Sequence, residues 1–156
     1  MSTTYPEAKA EIYRLFTTYF TANAVAASGL AYIPEIRYAG VLTPGLPATP
    51  PKEKHWCRIS TQLVTEEQDT LSTCVADIGR RRYTAAGLVF VQMFAPATSE
   101  GTTKNDLLAH VAKLAFRGKT ADGGIWFRNA RVNELKPEES FFRLNVVAEF
   151  EFNEIG

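Results

Sequence analysis

From Leu88 to Ala95 the chain is apolar, mostly β-branched or aromatic, and only Gln92 interrupts it. Such a run, bounded by Gly87 and Pro96, predicts a strand with both faces covered. Pro96 has no N–H to donate, so pairing should stop there. A short polar linker with Gly101 follows, and the hydrophobic period then changes from two to about 3.6. Leu107, Leu108, Val111, Leu114 and Ala115 fall on one side of the predicted helix. Asp106, His110, Lys113 and Arg117 fall on the other. Thr103 with Asp106 three residues on predicts the helix start, and Arg117-Gly118 the stop. The helix should fold back onto the strand.

Upstream, Thr4, Pro6 and Glu7 read as a capping box with proline in the first turn. Ala8, Ile12, Leu15, Phe16 and Tyr19 then repeat at helical spacing, and the helix should end between Asn23 and Gly29. Ile33 to Val41 reads as a short strand, with Ile36 and Tyr38 on one face. Thr43 to Lys54 carries four prolines and one glycine, so no regular element fits there. His55 to Val64 alternates: Trp56, Arg58, Ser60, Gln62 and Val64 face one way, His55, Cys57, Ile59, Thr61 and Leu63 the other. Thr65 to Thr70 reads as an acidic tip, and Leu71 to Ile78 as a return strand forming a hairpin. Ile125 to Leu135 and a final strand form a second hairpin across Lys136 to Ser140. In that last strand Phe142, Leu144, Val146, Ala148, Phe150 and Phe152 point inward. Arg143, Asn145, Glu149 and Glu151 point outward, with Val147 among them. This order predicts one α+β domain over residues 1–156, a mostly antiparallel sheet with two α-helices packed on one face.

The totals narrow the function classes. The chain has 156 residues, 46% hydrophobic and 22% charged, which suits a single core. Seventeen basic residues balance 17 acidic ones. That balance opposes a main task of gripping nucleic acid, which usually needs a basic excess. The apolar runs fall short of the roughly 20 residues a membrane span needs. No basic start leads into an apolar segment, so we expect no signal peptide, folding in a reducing cytoplasm, and free thiols at Cys57 and Cys74.

Candidate chemistry is sparse. His55, Cys57 and Cys74 could sketch a metal site, but the closed ligand spacing of structural zinc is missing, and we expect no metal. His110 lies four residues from Asp106, an ordinary helical pair. Glycine-rich phosphate loops and nucleophile elbows are not found. The expectation is therefore no cofactor and no catalytic residues. Arg80, Arg81 and Arg82 form the one basic run. They read either as a solvated strand end, or as a contact to nucleic acid or to acidic groups such as Glu66, Glu67 and Asp69 on a neighbouring copy. The proline-rich stretch, with Pro47, Pro50 and Pro51, reads either as a surface loop or as an arm against that neighbour.

Taken together, the early helix, the Trp56–Ser60 strand after a proline-rich loop, and the terminal Phe/Glu hairpin form a familiar layout. Most specific is Gly87–Pro96, with Val91-Gln92 and Phe94-Ala95-Pro96. From Tyr5 to Phe152 the chain resembles the tail-terminator (tail-completion) proteins of long-tailed bacteriophages. The resemblance implies a hexameric ring at the head-proximal end of the virion tail. Such a ring caps the tail tube, stops its polymerisation and meets the head–tail connector protein. Its partners would be further copies of itself, the tail tube protein and the connector, with DNA only in transit and no membrane. Arg143, Asn145, Glu149 and Glu151 would then face the lumen. The length of the proline-rich loop departs from the family pattern. Two alternatives stand beside this reading: a head-side connector, stopper or minor tail protein, or a small α+β ligand-binding protein or enzyme. A polar pocket holding His55 or His110 would favour the last.

Overall fold

The computed structural model describes residues 2–41, 50–69, 82–136 and 141–155. Helix α1 spans Tyr5–Ser28, and its cap is the one its sequence predicts. Thr4 Oγ1 accepts from the Glu7 N–H, and the Glu7 carboxylate accepts from the Thr4 N–H at 2.8 Å. Gly29 closes the helix at φ 75°, a left-handed conformation that glycine enters without a Cβ penalty. Ala8, Ile12, Phe16, Phe20, Ala24 and Ser28 form its buried stripe, four residues apart. Leu15 and Tyr19 flank that stripe and are partly buried.

Among the described residues, five strands and a two-residue piece make one sheet. They are β1 (Glu35–Tyr38), β2 (Trp56–Gln68), β3 (Arg82–Pro96), β4 (Thr120–Ala121), β5 (Ile125–Glu134) and β6 (Phe141–Ile155), in the order β1-β2-β3-β6-β5-β4. Only β1 with β2 is parallel; the other pairs are antiparallel. Helix α2 (Ser99–Leu114) connects β3 to β4 and packs with α1 on one face. The fold is α+β, as the element order predicts.

Three local expectations are corrected. Thr65 to Gln68 are not a tip: they continue β2 opposite Tyr83–Ala86, and the Asp69 N–H donates to the Arg82 carbonyl at 2.8 Å. The antiparallel partner of β2 is therefore β3; the expected return strand, 71–78, lies outside the described residues. Secondly, α2 begins five residues earlier than its polar sequence suggests. Thr98 is the cap, accepting from the Gly101 N–H at 3.0 Å, and Thr103 sits inside the helix. Leu108, Val111 and Ala115 are buried as expected, but Leu107 is exposed, and Asn105, Ala109 and Ala112 complete the buried side. Thirdly, β3 is not covered equally on both faces. Ala85, Gly87, Val89, Val91, Met93 and Ala95 are buried under the helices, while Leu88, Phe90 and Gln92 on the reverse are half-buried.

The core lies between the helices and this inner face. Phe16 stacks on Phe20 and Phe116 at 5.2 and 5.9 Å, and Phe116 packs on Phe127 at 5.2 Å. Every inward residue predicted for the last strand packs here, Phe142 partly and the other five fully buried. On the reverse face, at one end, Trp56, Phe94 and Phe141 form a separate buried cluster. Trp56 and Phe94 stack 4.0 Å apart, and Phe141 meets both edge-on. At the other end the chain's first residues lie along the end of β6. The Thr3 N–H donates to the Asn153 carbonyl at 2.9 Å, and the Ile155 N–H to the Ser2 hydroxyl at 3.0 Å.

Candidate functional site

The reverse face of the sheet and its two margins hold most of the residues the sequence singles out. Rows run across the strands: Arg128–Glu149–Leu88–Gln62, then Arg131–Val147–Phe90–Ser60, then Asn133–Asn145–Gln92–Arg58. Arg143, Asn145, Glu149 and Glu151 thus share this face, turned away from the helices. They are half-buried rather than freely solvated. The acids are matched by arginines. Glu149 lies 3.9 Å from Arg128 and 3.6 Å from Arg131, Glu151 lies 3.7 Å from Arg128, and Asn129 donates to Glu149 at 2.6 Å. Such exposed pairs contribute at most about 1 kcal/mol each. Arg143 donates to the Lys136 carbonyl at 3.0 Å, and Arg58 donates to Gln92 while stacking over Phe94. With Arg58, Arg128, Arg131 and Arg143 beside Glu149 and Glu151, the face is mixed in charge, not acidic.

The margins are asymmetric. Strand β1 covers only Trp56 to Ile59 of β2, and β4 covers only Ile125 and Trp126 of β5. Among the described residues, Ser60 to Glu67 and Phe127 to Glu134 therefore have a strand neighbour on one side alone. Each margin carries a bulge, at Leu63/Thr65 and at Arg128/Arg131, and Asn129 takes φ 55° there. Glu66 and Glu67 are exposed on the first margin. Arg82 and Asp69 meet within one chain at 3.9 Å, and the Thr84 hydroxyl donates to the same Asp69 carboxylate. Arg80, Arg81 and Pro47 lie outside the described residues. Pro50 is buried and Pro51 exposed, next to a turn in which the Lys54 N–H donates to the Pro51 carbonyl at 3.1 Å.

Of the metal-site candidates, Cys57 is fully buried, and burial pushes its thiol well above the usual range. It packs as a small apolar residue. Cys74 lies outside the described residues. Among the described residues no three of His, Cys, Asp or Glu are placed to hold a metal ion. His110 is exposed on α2. His55 is different: it is buried, and it borders a cavity of about 440 Å³ at the start of α2. The sequence offered two weak signals of these sites. Trp56 stands on a strand face whose next three positions, Arg58, Ser60 and Gln62, are polar, and His55 precedes it directly.

No family model matches the chain, and no curated protein matches it. Among solved structures, one that carries only a sequence identifier as its name matches with a TM-score of 0.54. The two are 15% identical over 91% of this chain and 93% of that one. A chain from the virion of native gene transfer agent (GTA) particle matches with a TM-score of 0.46, at 17% identity over 92% of each chain. That superposition is too loose to carry an argument. The likeness to the first structure shows a fold shared along nearly the whole of both chains.

Proposed function

We propose that the chain is a virion assembly protein, a ring-forming tail terminator that caps a phage-type tail tube and joins it to the head connector. The resemblance from Tyr5 to Phe152 is the starting point. The observation that carries the reading is the pair of half-covered sheet margins. Unpaired strand edges invite pairing with another chain. Strand β5 runs antiparallel to β6, β6 to β3 and β3 to β2, so β5 and β2 point in opposite senses. The β2 margin of a second copy can therefore extend the sheet beyond β5 with the antiparallel order kept. A head-to-tail contact of this kind closes into a ring when the rotation closes. The margins differ in charge: Glu66 and Glu67 mark one, and Arg128 and Arg131, shared with Glu149 and Glu151, mark the other. On this reading β5 offers the acidic stretch a second basic partner beside Arg80–Arg82.

The test is electron microscopy of the chain mixed with polymerising tail-tube subunit. Tubes capped by rings and halted at short, uniform lengths are the expected result; tubes of unaltered length with bare ends reject the proposal. A charge reversal separates the margins from the rest of the surface. Arg128→Glu with Arg131→Glu should abolish rings, and adding Glu66→Lys with Glu67→Lys should restore them. A second reading, a small ligand-binding α+β protein, draws on the cavity beside His55.

A further inference from the structure

The two half-covered margins of the sheet match each other in length and in irregularity. Among the described residues β1 stops covering β2 at Ile59, where the Ala39 N–H also donates to the Ile59 carbonyl at 3.0 Å. Strand β4 stops covering β5 at Trp126. Each open stretch carries one extra residue at its bulge. Leu63 and Thr65 pair with the adjacent Gly87 and Ala86, so Val64 is the extra residue in β2. Arg128 and Arg131 pair with Glu149 and Val147, so Asn129 and Ala130 together oppose Ala148. An extra residue breaks the ladder to a regular partner. A partner with an extra residue at the same place restores it. The faces fix where that place is. Turned away from the helices are Ser60, Gln62, Thr65 and Glu67 on β2, spaced two, three and two apart. On β5 the same face carries Trp126, Arg128, Arg131 and Asn133, with the same spacing.

We propose that a second copy of the chain lays its β2 antiparallel to β5 in one register, with Ser60 opposite Asn133, Gln62 opposite Arg131 and Thr65 opposite Arg128, bulge against bulge. This deepens the ring reading and rests on it. A slip by one residue would swap the two faces. A slip by two keeps the faces but sets the bulges out of step. The contact also has a fixed length. Pairing runs from Ser60 and Asn133 to Glu66 and Phe127; β1 of one copy stops it at the first end and β4 of the other copy at the second. In a single copy Leu63 and Ala130 are only partly buried, and Val132 is 36% exposed. The register sets Leu63 beside Ala130 and Thr61 beside Val132, so the core face continues across the contact. On the other face Glu67 falls diagonally opposite Arg128, within reach of a long side chain.

Cysteine pairs read the register. Directly opposed residues of antiparallel strands have Cα atoms about 4.5–5.5 Å apart, within disulfide reach, whereas diagonal ones stand about 7–8 Å apart, beyond it. Within one chain β3 and β6 lie between β2 and β5, so Ser60 and Asn133 are roughly 14 Å or more apart and can link only between copies. Ser60→Cys with Asn133→Cys is the matched pair, and Gln62→Cys with Asn133→Cys is the pair shifted by two. Each double variant of the full chain is mixed with polymerising tail-tube subunit and oxidised with glutathione disulfide, with the parent chain as blank. A non-reducing gel counts the links, and electron microscopy of the same sample scores the rings. The expected result is a ladder of covalent multimers from the matched pair, lost in the shifted pair. The two single variants, Ser60→Cys and Asn133→Cys, should link when mixed, into dimers and nothing longer, and neither should link to itself. Rings without links, or with links from the shifted pair instead, overturn the register and leave the ring reading standing. A single variant that links to itself marks a two-fold contact and overturns the register as well. Neither rings nor links overturns both.

Discussion

Gly87→Ala tests the account of the central strand. In an unobstructed strand the change would stabilise by roughly 0.5–1 kcal/mol, because glycine loses more freedom on folding. Gly87 is obstructed. A Cβ there would lie 2.7 Å from Phe150 Cζ and closer still to the backbone carbonyl of Gln62. Gly87 pairs with Leu63 on β2 and with Phe150 on β6, so neither neighbour can retreat without straining a ladder. Forcing one methyl into such a site typically costs about 1–3 kcal/mol. A contact this short falls in the upper part of that range, about 2–3 kcal/mol, so the net is a loss of roughly 1–2.5 kcal/mol, and for a chain of this size the melting temperature should fall by about 2–10 °C. Urea unfolding followed by circular dichroism should show a lower midpoint with an unchanged slope. Phe150→Leu removes the ring edge, so the double variant should be less destabilised than the sum of the singles, by roughly 0.5 kcal/mol or more. A Gly87→Ala chain as stable as the original, or strict additivity with Phe150→Leu, would refute the reasoning.

Phe16→Ala should cost about 3–5 kcal/mol, because the ring is fully buried between Phe20 and Phe116; calorimetry measures it. Thr4→Ala removes one half of the capping box and should cost about 1 kcal/mol, read from the urea midpoint. Burial lowers the His55 pKa below its ordinary 6.5, so the unfolded chain takes up the proton first. Stability should be level above pH 6.5 on this account and decline as pH falls from there towards the folded value; His55→Gln should remove that part of the slope, in chemical denaturation at several pH values.

The elements that were legible in the sequence are those whose local signals agree with their tertiary setting. In α1, cap, stripe and glycine stop all point the same way, and the structure follows them. The strict alternation of Phe142 to Phe152 sets the inner face of β6 for the same reason. Thr65 to Gln68 failed the reading because Thr-Glu-Glu-Gln has no apolar face; pairing with β3 makes it a strand, and that partner is 15 to 21 residues away along the ladder. The start of α2 was hidden by Gly101, which reads as a loop residue. It lies in the first turn of the helix, where only a residue without a side chain fits against Pro96. Arg143, Asn145, Glu149 and Glu151 were placed together correctly by alternation. Alternation carries no information about cross-strand partners, so Arg128 and Arg131, which neutralise the two glutamates, were missed. The cavity beside His55 depends on the angle at which α2 leaves β3, and no periodicity encodes that.

The hydrogen bonds from Thr3 to Asn153 and between Ser2 and Ile155 hold the segment before α1 beside the end of β6. A reporter side chain placed at Ser2 or at Ile155 therefore sits at the same corner. That corner is close to both flanks: the Thr3 hydroxyl donates to the Gly123 carbonyl between β4 and β5, and Asn153 stands in one row with Thr84 and Glu67. A bulky label there crowds the margins through which copies are proposed to join, so probes for an assembly assay belong elsewhere, on exposed α2 positions such as Asp106.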